Sequence, residues 1–379
     1  MKKKFIILIA SFALIICCAA AVGQLFFDSE AQTPQALTSE THELHDPEIE
    51  GMIASMSIEK KVGQMFMGCF YNGTPDADAV ADYNLGAVLL FSASFTDSDK
   101  EAVKNEISKI KNSTGIEPFI AVDEEGGTVN RVSSSKSFRS EPFDAPGDIY
   151  TSSGMEGVIA DIHEKNDFLT DIGITLNLAP VCDISLDPDD FMYERSLRQD
   201  AETTAEYARL ATEAYTEDNI GSCLKHFPGY GNSADTHEGI VIDDSSLEDL
   251  EQNDLLPFES GIKAGTHAIL VSHNIVTAID DSLPASLSPA VHNLLRYDMG
   301  FDGVIITDDL SMNAISEFLS DTDSAVAAIQ AGNDMLCTGD FARQEEAVLE
   351  AVNSGIITEA RIDSSVRRIL MWKKALSLL

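Results

Sequence analysis

Gly303-Val304-Ile305-Ile306-Thr307-Asp308-Asp309-Leu310-Ser311-Met312 is an apolar run that stops abruptly on two carboxylates. Three consecutive β-branched residues favour an extended strand. Their unbroken apolar character, in place of an apolar–polar alternation, predicts a strand buried on both faces, as in a parallel sheet covered by helices. Seven further runs of this kind lie at 65–70, 87–91, 119–123, 175–180, 222–226, 268–272 and 334–338, with helical patterns between them. Eight βα units in about 330 residues fit a single α/β domain of the (β/α)8 TIM-barrel type. A doubly wound open sheet also alternates strand and helix, but it usually carries a Gly-rich phosphate loop after its first strand, and none follows Phe70.

Residues able to do chemistry stand where these runs end: Asp123, Asp183, Lys225 with His226, His273 with Asn274, and Asp308 with Asp309. In a barrel the C-terminal strand ends converge on one face, and active sites are built there. Asp308 closes its strand and can project into the barrel mouth, where a carboxylate can attack an anomeric carbon and form a covalent intermediate. Asp309 also fits as the cap of a helix starting near Leu310.

A second segment, Leu224-Lys225-His226-Phe227-Pro228-Gly229-Tyr230-Gly231-Asn232-Ser233-Ala234-Asp235-Thr236-His237, joins a strand end carrying a cation and an imidazole to a Pro/Gly-rich loop. That loop presents Asp235 two residues before His237. An Asp beside a His can orient the imidazole and stabilise its protonated form, which suits a general acid that later acts as a base. Asp-x-His alone is more often an ordinary pair of loop polars; its setting in this string favours chemistry. A zinc reading lacks a His-x-x-x-His pair or a third placed ligand, so no metal is expected. In a third segment, Ile120-Ala121-Val122-Asp123-Glu124-Glu125-Gly126-Gly127-Thr128-Val129-Asn130-Arg131, Asp123 can accept hydrogen bonds from sugar hydroxyls and Arg131 can donate to them in forked geometry.

The bulk properties bound the rest. With 379 residues, 44% of them hydrophobic, the chain is long enough for a large core. Its 25 basic and 63 acidic residues give 25 − 63 = −38, a surface that repels nucleic acid and anionic lipid. Lys2, Lys3 and Lys4 precede a charge-free apolar run from Phe5 to Val22, the layout of an export signal. Residues 1–23 are therefore expected to be a cleaved signal, a lipidated segment or a membrane anchor, and the protein to be exported to the cell envelope or beyond it. Cys17 and Cys18 end the run, but Ile16 and Cys17 precede them where lipidation prefers a small residue. Residues 24–46, rich in Thr, Ser, Glu and Pro, read as a flexible linker, and 47–379 as the catalytic domain. Cys69, Cys182, Cys223 and Cys337 are scattered without paired spacing and read as small buried hydrophobes.

These strings resemble glycoside hydrolase family 3, and within it the NagZ-like β-N-acetylhexosaminidases. Lys-His-Phe-Pro-Gly followed by an Asp-x-His loop looks like the hallmark of the N-acetylglucosaminidase branch, and Thr-Asp-Asp-Leu-Ser-Met like its nucleophile motif. The resemblance extends from Met56-Ser57-Ile58-Glu59-Lys60-Lys61-Val62-Gly63-Gln64 to Arg361-Ile362-Asp363-Ser364-Ser365-Val366-Arg367-Arg368-Ile369-Leu370. It implies a barrel, Asp308 as nucleophile, His237 as acid/base assisted by Asp235, and sugar binding by Asp123, Arg131, Arg195, Lys225 and His226. A monomer acting on a small carbohydrate without a cofactor is expected. Thr128, Tyr230 and Leu197 depart from the family's usual Arg, His and Phe and bear on the outer part of the subsite. Three rival readings are a phosphorylase, a non-catalytic cell-wall sugar-binding protein and a metal-dependent hydrolase. Added phosphate, any turnover, and chelation respectively separate them from a hydrolase.

Overall fold

The computed structural model describes residues 46–230, 239–316, 318–319 and 321–379. The expected export segment, linker residues 24–45, and Asp235 and His237 lie outside the described residues. The strands are β1 (Phe66–Phe70), β2 (Ala87–Leu90), β3 (Phe119–Val122), β4 (Leu176–Asn177), β5 (Gly221–Ser222), β6 (Leu224–Phe227), β7 (Ile242–Asp243), β8 (Ala268–Val271), β9 (Ile275–Val276), β10 (Val304–Thr307) and β11 (Leu336–Thr338). Every run identified from apolar patterning contains one, and in β10 all four residues are wholly buried.

Pairing is parallel throughout, in the orders β11-β1-β2-β3-β4-β5 and β10-β8-β6. Parallel bridges between Val181 and Lys225 and between Ile306 and Met335 join the two runs into a ring. The expected fifth strand, 222–226, is broken at Cys223 into β5 and β6, because its first half registers on β4 (Leu176↔Gly221) and its second on β8 (Leu224↔Ile269). The fourth is shorter than expected: Pro180 has no N–H to donate, and pairing beyond Asn177 is reduced to isolated contacts such as Cys182 N to Lys225 O at 2.6 Å. Counting β5 and β6 as one, the ring is the eight-stranded (β/α)8 barrel.

Capping side chains set where several helices begin. Asp46 accepts from the backbone N of Glu48 at 2.9 Å to start Pro47–Ser55, and Asp200 accepts from Thr203 N at 2.9 Å to start Ala201–Glu217. The last helix, Glu359–Ala375, closes the end of the barrel where the strands begin. Its Trp372 ring lies 4.4 Å from that of Phe119, the first residue of β3, and Lys373 Nζ donates to Gln64 Oε1 at 2.8 Å just ahead of β1. With that end plugged, access is through the other, where the strands finish.

A small feature at the open end carries no mark in the apolar pattern: β7 pairs with β9 in parallel, Ile242↔Ile275 and Asp243↔Val276. It ties the chain that follows the Gly229–Gly239 segment to the residues just beyond β8. Among the described residues no helix is long and apolar enough to cross a membrane.

Candidate active site

The open end holds a cavity of about 680 Å³ lined by Asp123, Arg131, Arg195, Lys225, His226 and Asp308, the six sequence-derived candidates that lie among the described residues. Lys225 and His226 come from β6, and the others from the segments that follow β3, β4 and β10. The barrel unites residues up to 185 positions apart, since Asp123 and Asp308 give 308 − 123 = 185.

Lys225 is buried in β6, and its ammonium lies 2.7 Å from Asp123 Oδ1 and 2.6 Å from Glu125 Oε1. Arg195 grips the same carboxylate with both prongs, Nε to Glu125 Oε2 at 2.8 Å and Nη2 to Oε1 at 2.7 Å. Burial alone would push the Glu125 carboxyl up, but the charges of Arg195 and Lys225 outweigh it and hold that group well below the usual carboxylate range. For Lys225 the balance is the mirror image: burial lowers it, Asp123 and Glu125 raise it, and the net direction is up. Glu125 is thus the pivot that lets two cations sit in the cavity wall. No motif in the sequence marks Glu125 for this role; the signal for it is that two buried cations demand more anionic charge than Asp123 supplies.

Glu124 points the other way. It accepts from the backbone N of Arg131, Val132 and Ser133 at 2.8, 2.7 and 3.2 Å and so shapes the loop that brings Arg131 to the cavity. The Arg131 guanidinium lies 5.5 Å above the Phe91 ring and 3.9 Å from Asp123 Oδ2.

His226 is oriented by Asp183, which takes its Nδ1 at 2.7 Å, its backbone N at 3.2 Å and the backbone N of Tyr230 at 2.9 Å. Arg195 Nη2, which can only donate, lies 3.3 Å from Nε2, so the neutral tautomer with its proton on Nδ1 fits both contacts. Tyr230, one of the departures from the family pattern, packs its ring against His226 and Phe191 at 5.4 and 5.9 Å and lines the cavity. Thr128 also lines it, whereas Leu197 lies in the hydrophobic core.

Asp308 follows β10, and its Oδ1 accepts the Asp309 backbone N–H at 2.8 Å. Asp309 is engaged elsewhere. Its Oδ1 accepts from Ser311 N at 2.9 Å, and the Tyr71 hydroxyl donates to Oδ2. The helix expected to start near Leu310 begins only at Asn313, so Asp309 does not cap it; its carboxylate instead closes the turn at Ser311 that links β10 to that helix. His273 and Asn274 are also structural: His273 reaches Ser286 Oγ at 2.8 Å and the Asp309 carbonyl at 3.0 Å, and Asn274 Nδ2 donates to Gly229 O at 3.1 Å. Among the described residues no group of three or more His, Cys, Asp or Glu side chains is arranged to hold a metal ion.

Glu125→Gln tests the pivot directly. The amide keeps the shape but leaves Lys225 and Arg195 with one anion between them, so a loss of about 3–5 kcal/mol is expected in denaturant unfolding. KM should also rise, as the two cations lose their fixed placement. Unchanged stability and KM would remove Glu125 from this role.

The profile of the Glycosyl hydrolase family 3 N terminal domain matches residues 57–372. The beta-hexosaminidase LpqI of Mycobacterium tuberculosis is 29% identical over 335 residues, covering 85% of this chain and 84% of that protein. A beta-hexosaminidase of Neisseria gonorrhoeae is 31% identical over 263 residues, 67% of this chain and 71% of the relative. Among solved structures, a glycoside hydrolase family 3 beta-N-acetylglucosaminidase from Paenibacillus sp. superposes with a TM-score of 0.78 at 29% identity, covering 86% of this chain but only 63% of the longer Paenibacillus chain. The structure of M. tuberculosis LpqI gives 0.77 at 29% identity and is covered over 96% of its length. With a family match over most of its length and a barrel mouth built from the same strand ends as the motifs, the chain belongs to glycoside hydrolase family 3.

Proposed function

We propose that this glycoside hydrolase is a retaining exo-β-N-acetylglucosaminidase, releasing terminal non-reducing β-linked N-acetylglucosamine from peptidoglycan or chitin-type fragments. The observation that supports this reading is a cavity at the open end of the barrel with Asp308 at its wall and Asp123, Arg131, Arg195, Lys225 and His226 converging on it. Its closed base suits a terminal sugar rather than the middle of a chain. The relatives' names, beta-hexosaminidase and beta-N-acetylglucosaminidase, point to the same sugar.

In the proposed cycle Asp308 attacks the anomeric carbon while protonated His237 donates to the departing oxygen. Neutral His237 then takes a proton from the water that hydrolyses the glycosyl-Asp308 intermediate. Asp235 orients the imidazole and stabilises its charged form. Asp123, Arg131, Arg195, Lys225 and His226 bind the sugar hydroxyls. On the evidence of Lys2 through Val22 we also place the protein outside the cytoplasm.

A panel of nitrophenyl glycosides tests the specificity. Turnover of β-N-acetylglucosaminide should exceed that of β-glucoside by at least roughly a hundredfold, because a site built to hydrogen-bond the acetamido group leaves buried polar groups unpaired without it. Preference for β-glucoside would overturn the reading, and release of sugar-1-phosphate on adding phosphate would replace hydrolysis by phosphorolysis.

A further inference from the structure

Cys69 in β1 and Cys337 in β11 place their sulfurs 3.3 Å apart across the seam between the first and last strands of the barrel. Met67 pairs with Cys337 there, and Cys69, two residues on, points to the same face. Both side chains are buried, and Cys337 forms part of the cavity wall. The backbone of Cys337 also braces the motif around Asp308: its N–H donates to Thr307 Oγ1 at 3.0 Å, and its carbonyl accepts from Leu310 N at 2.9 Å. Spacing along the chain concealed this pair, whose members are 337 − 69 = 268 positions apart.

We propose that Cys69 and Cys337 are an oxidisable thiol pair, closed to a reversible disulfide by a small peroxide admitted through the cavity, and that closure slows turnover. The sulfurs must draw together by ~1.2 Å to reach the disulfide length of about 2.05 Å, and because Cys69 lies two residues beyond Met67, the partner of Cys337, closure also requires β1 and β11 to shift against each other. In the first step the Cys337 sulfur takes an oxygen from hydrogen peroxide as the O–O bond breaks, and water leaves. In the second, the Cys69 sulfur displaces that oxygen as a second water, each thiol giving up its proton, and the S–S bond forms. Two thiols are oxidised and one peroxide is reduced to two waters. Burial pushes the Cys69 thiol up, and for Cys337 the hydrogen bond to Cys69, burial and the nearby Asp309 and Asp308 act in the same direction. Both therefore stay protonated at neutral pH, which makes the reaction slow and leaves bulky disulfide reagents ineffective on the folded protein. Movement of β11 at Cys337 is transmitted to Thr307 and Leu310, and ångström-scale misplacement of a reacting group costs rate.

The full chain is exposed to hydrogen peroxide, quenched, alkylated and digested without reduction for mass spectrometry. A linked peptide pair containing Cys69 and Cys337 is expected, while Cys182 and Cys223, equally buried but with sulfurs on backbone carbonyls, remain free thiols. The oxidised enzyme should show a several-fold lower kcat that dithiothreitol restores, and Cys69→Ser should show neither link nor loss. The turnover arm rests on the proposed glycosidase activity; the link mapping does not, so the two can fail separately. No link, oxidation only to sulfinic acid, or a link through another cysteine overturns the proposal. Linked wild-type enzyme with undiminished kcat overturns its effect on turnover, and wild-type mapping stands even if Cys69→Ser fails to fold.

Discussion

Asp308→Asn is expected to lower kcat by more than about a thousandfold while leaving the melting temperature close to that of the wild type. The amide has the size of the carboxylate but carries no anion able to attack the anomeric carbon, and loss of a nucleophile removes the covalent route altogether. Folding should survive, because the contact made by Asp308 Oδ1 is an accepted hydrogen bond from Asp309 N–H, which an amide oxygen can also accept. Asp309→Asn is the internal comparison. Its carboxylate is bound to Ser311 and Tyr71 and is part of the turn, so its loss should act mainly through local geometry, with a smaller fall in rate. A near-normal rate in Asp308→Asn together with collapse in Asp309→Asn would exchange the two roles.

The position of Asp308 at a strand end was within reach of the sequence because barrel strands advertise themselves. A parallel strand covered by helices outside and packed inside must be apolar at every position, so Val304 to Thr307 reads as a strand and Asp308 as its end without any knowledge of what it contacts. The same logic located β1, β2, β3, β8 and β11 to within a residue or two. It overran β4, which Pro180 cuts short, and it blurred at β5 and β6, because pairing there changes partner across Cys223 and a change of partner leaves no mark on hydrophobicity. It could not see β7 and β9, two residues each, whose pairing depends on where β6 and β8 end.

The site was legible to the extent that its residues sit at strand ends or inside a distinctive string. Asp123, Lys225, His226 and Asp308 are of the first kind. Glu125 is of neither, since its role exists only through Arg195, 70 positions away, and Lys225, 100 positions away by 225 − 125. Asp183 was noted as a strand-end polar, yet its function in turning His226 toward Arg195 follows from three hydrogen bonds that only the folded loop creates. The sulfur pair at the barrel seam is the extreme case, because closing a ring brings together the first and last strands of the domain.

His237 carries the other large expected effect, and its signature is a dependence on the leaving group. Only the first displacement of a retaining reaction needs a proton delivered to the departing oxygen, and that need weakens as the leaving group becomes more acidic. For His237→Ala a fall of about 10²–10⁴-fold is expected on a disaccharide, the range general acid catalysis ordinarily supplies. Glycosylation by a dinitrophenyl glycoside should suffer far less. The second displacement still lacks its base, so the glycosyl-Asp308 species should accumulate with the activated substrate and show as a burst of dinitrophenol and an intact-mass increase. Azide, a small nucleophile that needs no base, should relieve the accumulation, speed turnover and leave β-glycosyl azide as product. Asp235→Asn should follow the same ordering with smaller losses, since that carboxylate acts on the imidazole and not on the sugar. Equal losses with every leaving group, no burst and no azide rescue would assign His237 to substrate binding and leave the proton donor to another side chain at the mouth of the barrel.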